Sequence, residues 1–168
     1  MNRYASKTVV GEDRSRAEIE KMLMRFGADQ FAYATDEGQR AAAIQFRYRG
    51  LMVRMTLALP SPDDPRITET PRGRRRSPGI LRTEYERERR RRWRALALAI
   101  KAKLVAVEEG ITTFEVEWLP YVLWGDGRTT AEHLIPAITS GMVLPPTPRA
   151  LLPERIPAIK GEIVEGKS

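Results

Sequence analysis

Cysteine is absent from the 168-residue chain, and histidine occurs once, at His133. The first absence excludes disulfides, thiolate catalysis and cysteine-based zinc sites, and it suits a reducing compartment. The second excludes a multi-histidine metal centre. No serine near His133 has the spacing of a nucleophile elbow, so His133 reads as structural or exposed. Long apolar runs are missing as well. The longest, Ala95 to Ile100, is far too short to span a bilayer, and Met1 to Val10 holds no secretory hydrophobic stretch. Glycine-rich phosphate loops are lacking, since Gly125-Asp126-Gly127 reads as a turn. Asp63-Asp64 and Glu108-Glu109 have no third acid spaced to converge with them on a divalent cation, and they read as turn or cap chemistry. The expectation is a non-catalytic, cytoplasmic protein with no cofactor, no metal and no membrane partner.

What the chain does have is arginine, and it is concentrated. Residues 66–94 hold twelve arginines against four glutamates and no lysine, a net of +8 in a chain whose total is +7. A block this local points to a polyanionic partner. Within it, Arg72, Arg74, Arg75 and Arg76 have no acid interleaved, whereas Arg89, Arg90, Arg91 and Arg92 share their segment with Glu84, Glu86 and Glu88. Guanidinium forks match phosphate oxygens bidentately, so a mobile arginine-rich loop running into a helix start suits the tracking of a nucleic-acid backbone. Neutralising roughly six phosphates of duplex DNA gives a slope of about −5 in log K against log salt.

Hydrophobic content of 42% fits folded parts joined to polar or proline-rich segments. Lys7 to Val10 reads as a short strand. Ser15 and Glu18 form a capping box for a helix whose stripe is Ile19, Leu23 and Phe26, with Gly27 at the left-handed C-terminal cap. Phe31 and Tyr33 alternate with alanines up to the turn Asp36-Glu37-Gly38. A hairpin around Arg49-Gly50 follows. Setting Tyr48 opposite Leu51 pairs Phe46 with Val53, Ile44 with Met55 and Ala42 with Leu57 on one apolar face. The other face then pairs Arg47 with Met52, Gln45 with Arg54 and Ala43 with Thr56. A one-residue slip would mix the two sets, so the register is well specified. The second face carries Arg47, Arg49 and Arg54 on or beside it, which adds them to the candidate phosphate contacts. Phe31, Tyr33, Phe46 and Tyr48 are a base-stacking platform or, as their apolar face favours, core.

Pro60 to Pro78 holds five prolines and few apolar residues, and reads as a linker or long loop. A long helix is expected from about Ile80 to Glu109, ending at Gly110. Its stripe is Tyr85, Trp93, Leu96, Ile100, Leu104 and Val107, and its exposed pairs are Glu86–Arg90 and Glu88–Arg92. Thr112 or Thr113 caps a short helix through Trp118. Tyr121 to Trp124 is a possible strand, and Thr129 or Thr130 caps another helix through Ile138. Trp118, Tyr121 and Trp124 form either a partner patch or satellite core. The predicted fold is α+β, in β-α-β-β-β-α order: an antiparallel sheet of three or four strands covered by two helices, with short C-terminal elements. Residues 1–140 form one domain with a Pro/Arg-rich loop at 60–79, and residues 141–168 a proline-rich irregular tail in which Leu151-Leu152 and Ile156 could dock.

The segments Trp93-Arg94-Ala95-Leu96-Ala97-Leu98, Glu109-Gly110-Ile111-Thr112-Thr113-Phe114-Glu115 and Asp126-Gly127-Arg128-Thr129 resemble those of a group of small bacteriophage and prophage proteins. The helix opening Ser15-Arg16-Ala17-Glu18-Ile19-Glu20 is similar to theirs too. This resemblance covers most of residues 6–140. It implies a role in phage DNA transactions or in meeting host defence, and carries over no functional residues. The order helix, three strands, helix also resembles the double-stranded RNA-binding domain, without that module's basic helix-start signature. The expected function is non-catalytic nucleic-acid binding, DNA favoured over RNA, through the eleven arginines named above. The alternatives are a protein-interaction or homo-oligomeric module, such as an inhibitor of a host factor, and a binder of a small anionic nucleotide.

Overall fold

A computed structural model describes residues 5–140, with side chains from Glu12 onward. Helix α1 (Ala5–Phe26) precedes a three-stranded antiparallel sheet in the order β1 (Gln30–Asp36), β2 (Ala41–Tyr48), β3 (Leu51–Ala58). A short helix α2 (Pro65–Thr68), the long helix α3 (Pro78–Glu108), α4 (Phe114–Trp118) and α5 (Thr130–Thr139) follow. The α+β architecture agrees with the sequence expectation; the opening strand does not. Residues 7–10 lie inside α1, so the order begins with a helix. Ser15, expected as its cap, is buried in the helix interior, and Glu12 is buried one turn earlier. The chain is therefore already helical where it meets α3, and that packing overrides the β-branched run.

α1 ends as its glycine requires. Gly27 takes φ +108, its N–H bonds the Met24 carbonyl at 3.1 Å, and the Ala28 N–H bonds the Leu23 carbonyl at 2.9 Å, a Schellman motif. The β2–β3 hairpin adopts the register read from the sequence, from Tyr48↔Leu51 to Ala42↔Leu57. Arg49 and Gly50 both have positive φ, which sets the type I′ turn that matches strand twist. Ala42, Ile44, Phe46, Val53 and Met55 are buried on the apolar face. They join Ile19 and Leu23 of α1 and Trp93, Leu96, Ala97, Ile100 and Leu104 of α3 in one core, closed by Phe114 and Trp118 of α4. The Trp118 ring meets Phe46 edge-on at 5.1 Å, and Tyr48 packs on Phe114 at 4.4 Å. The aromatic run is thus mainly core. Tyr33 is the exception, half exposed under the Arg16 guanidinium at 4.4 Å.

Residues 60–78 are folded rather than a free linker. Pro60 and Ile67 are fully buried, Asp64 caps α2 by accepting from the Arg66 N–H, and Glu69 and Arg75 form an antiparallel bridge. The Thr70 N–H bonds the Arg74 carbonyl and the Gly73 N–H bonds the Thr70 carbonyl, both at 2.8 Å, which makes a tight turn over Pro71 and Arg72. Two buried side chains and a turn suffice to order the segment. Thr113 caps α4, and Thr129 with Glu132 forms a full capping box on α5. Tyr121 to Trp124 is not a strand. A 3-10 turn, Leu119–Tyr121, leads into two isolated bridges, one of which lays Val122 against Val53 at the β3 edge. Trp118 is buried, whereas Trp124 is half exposed beside His133. Leu151, Leu152 and Ile156, expected to be able to dock, lie outside the described residues.

Adjacent residues on opposite faces give a direct test of the register. Phe46→Ala should lower unfolding free energy by about 3 to 5 kcal/mol, and Gln45→Ala by no more than about 0.5. Urea denaturation of the two variants measures both.

Candidate nucleic-acid interface

A guanidinium serves a phosphate only if no carboxylate of the same chain already holds it. The arginines divide on that criterion. Arg89, in the first half of α3, donates from Nε to Glu12 at 2.8 Å and from Nη1 to Glu37 at 2.9 Å, and its side chain is 15% exposed. Burial disfavours its charge. The hydrogen bonds to Glu12 and Glu37 more than offset that and hold its pKa above the usual arginine value. One side chain therefore joins α1, the β1–β2 turn and α3.

Arg92 donates to the Ala58 carbonyl at 2.6 Å and shares Glu88 with Arg91. The Arg91 and Arg92 bonds hold the Glu88 carboxyl below its ordinary range. Glu86 pairs back with Arg82 at 3.2 Å instead of forward with Arg90. Arg76 is mostly covered, donating to the Glu69 carbonyl at 2.9 Å and lying 3.6 Å from Glu84. On the sheet, Arg47 grips Asp29 with two nitrogens at 2.9 Å, and Arg54 meets Glu132 of α5 at 2.9 Å. Arg49 lies over the Tyr48 ring at 5.2 Å. The sheet face read as mildly basic is thus largely neutralised.

Arg72, Arg74 and Arg75 remain. All three are exposed, and none has an ion-pair partner among the described residues. They stand on the turn closed by the Glu69–Arg75 bridge, where Gly73 takes φ +73. Arg90, half buried, and Arg49 and Arg94, both exposed, are likewise without a carboxylate among the described residues, Arg49 standing apart on the β2–β3 turn. Of the eleven nominated arginines, the structure leaves the three at the turn most available. It commits Arg76, Arg89, Arg91, Arg92, Arg47 and Arg54 to internal partners: Arg91 and Arg92 to Glu88 one turn away on α3, Arg76 to Glu69 and Glu84, and Arg89, Arg47 and Arg54 to acids distant in the sequence. Long-range pairing of this kind leaves no local signal in the sequence.

Sequence reasoning also missed a cavity of about 570 Å³ beside this turn, with Pro62, Ile67, Arg75, Leu81, Arg82 and Tyr85 in its lining. It exists because residues 60–78 fold back onto the first turns of α3. Among the described residues no three His, Asp or Glu side chains are grouped to hold a metal ion, and no helix is long and apolar enough to cross a membrane. Asp64 behaves as the expected cap residue, and His133 Nε2 lies 3.1 Å from Asp126. No family model, curated protein or solved structure matches the chain.

Two predictions come from these pairings. Arg89→Ala strands the buried Glu12 carboxylate and should cost about 3 kcal/mol of stability, seen as a lower urea midpoint. Several carboxyls are held below their ordinary values: Asp29 by Arg47, Glu88 by Arg91 and Arg92, Glu132 by the Thr129 N–H, and Asp64 at about 2 against an ordinary 3.8 by Arg66. A depressed carboxyl stabilises the fold above its unfolded pKa, and that contribution is lost as pH falls through the folded value. Urea midpoints should therefore be flat near neutrality and fall as pH drops from about 4.5 towards 2.

Proposed function

We propose that the protein is a non-catalytic nucleic-acid-binding protein that grips phosphates through Arg72, Arg74 and Arg75. One observation carries this reading: after the internal ion pairs are assigned, these three exposed guanidiniums remain together on one short, hydrogen-bonded turn. A folded turn loses less conformational entropy on binding than a free loop, so its arginines are better placed for phosphate oxygens. Arg90 and Arg94, further along α3, extend the positive potential. Such contacts to the backbone confer affinity with little sequence preference. The polymer is DNA in preference to RNA, in keeping with the bacteriophage resemblance, and the protein acts in the host cytoplasm.

The cavity between the turn and α3 favours a second reading, a small anionic nucleotide. Tyr85, Leu81 and Ile67 offer apolar surface to a base, and Arg75 and Arg82 charge to a phosphate. That reading predicts saturable, stoichiometric heat with a mononucleotide and little affinity for a polymer.

A salt series separates the two. On duplex DNA the wild-type slope of log K against log salt should be about −3 or steeper. Replacing Arg72, Arg74 and Arg75 by alanine should flatten it by about 2 to 3 units and weaken all sequences alike. Polymer binding unchanged by the triple substitution contradicts the proposal.

A further inference from the structure

α3 carries two apolar stripes, and the core uses one. Trp93, Leu96, Ile100 and Leu104 face inward. On the opposite side, at 100° per residue, lie Ala95, Leu98, Ala102 and Val105, all exposed. Leu98 is 67% exposed and Val105 41%. Their spacing is that of a heptad, with alanines at the first position and Leu98 and Val105 at the fourth. The flanking positions Ala99 and Ala106 are small too, so a second helix can approach closely. Stability of a single domain does not require this pattern, because a solvent-facing helix surface is normally polar.

We propose that this stripe is a homodimer interface in which α3 packs antiparallel against α3 of a second copy. Charge fixes the occupant and its direction. The segment before the stripe is basic, with Arg91 and Arg94, and the segment after it is acidic, with Glu108 and Glu109. Antiparallel pairing about a dyad near residue 100 sets Ala95 opposite Val105 and Leu98 opposite Ala102. It brings Arg94 to Glu108 of the second copy, and sets Arg91, which keeps its bonds to Glu88, near Glu109. Among the described residues Arg94, Glu108 and Glu109 have no ion-pair partner, so the interface takes little from the monomer. Only Lys101 meets its own equivalent, at the dyad, where its long side chain reaches water. A parallel pair would instead stack Arg91 and Arg94 against their equals, which like-charge repulsion opposes. The N-terminus of α3 lies about 33 Å along the axis from the dyad at about 1.5 Å per residue, so the two arginine turns would project at opposite ends of the dimer.

The test is the particle mass of the full chain in sedimentation velocity over a dilution series at low and high salt, with wild type, Leu98→Glu and cysteine variants. Wild type should sediment as a dimer at both salts. Leu98→Glu should sediment as a monomer with an unchanged far-UV spectrum. Because the chain has no cysteine, Ala95→Cys and Val105→Cys report direction cleanly: an equimolar mixture should form the mixed disulfide on oxidation, and neither variant alone should cross-link. A wild-type monomer at every concentration overturns the proposal, and so does a dimer that survives Leu98→Glu. A monomer destabilised by Leu98→Glu, meaning that residues of the same chain cover the stripe, overturns it equally. Efficient cross-linking of Ala95→Cys to itself overturns the antiparallel direction.

Discussion

Arg89 is the charge on which the arrangement depends. Once α1 and α3 pack, its guanidinium lies largely out of water and must be matched by a carboxylate. Glu12 supplies one from inside α1, and Glu37 supplies another from the turn between β1 and β2. A buried ion pair is weak evidence of net stability, but breaking one is costly, and this one acts through three elements. It helps explain why the chain is already helical before Ser15. It also removes from solution one of the eleven arginines that the sequence offers as phosphate contacts.

The same logic runs through the rest of the basic block. Arg76, Arg91 and Arg92 are held by Glu69, Glu84, Glu88 and a β3 carbonyl, and Arg47 and Arg54 by Asp29 and Glu132. A local net charge of +8 therefore overstates the charge available to a partner. What distinguishes Arg72, Arg74 and Arg75 is less their number than the lack, among the described residues, of any acid paired with them, on a turn whose geometry is fixed by Gly73 and by backbone hydrogen bonds to Thr70. Availability and pre-organisation together are what the proposed phosphate contact rests on.

Much of this was legible in the sequence because some features are decided locally. The hairpin register was readable from period-2 alternation whose two faces differ in chemistry, so that a slip is penalised at every pair. Gly27, Gly110, Thr113 and Thr129 mark helix ends because caps are short-range. Residues 7–10 were misread because four residues give too little periodicity to tell a strand from a helix that tertiary packing extends. The folding of 60–78 was invisible because its order depends on isolated buried residues, Pro60 and Ile67, rather than on a pattern. Among the site residues, the free loop arginines were singled out by the lack of interleaved acids. The capture of Arg89 by Glu12 and Glu37, 77 and 52 positions away, has no trace in a linear count.

On the proposed function, ion pairing inside the fold decides which arginines are left to meet a nucleic acid. Arginine Nε–H signals, followed by NMR while a short DNA duplex is titrated in, test it most directly. The signals of Arg72, Arg74 and Arg75 should shift together and saturate, while those of Arg89, Arg92 and Arg47 stay in place. Shifts concentrated on Arg89 and Arg92, with the three at the turn unmoved, would contradict it.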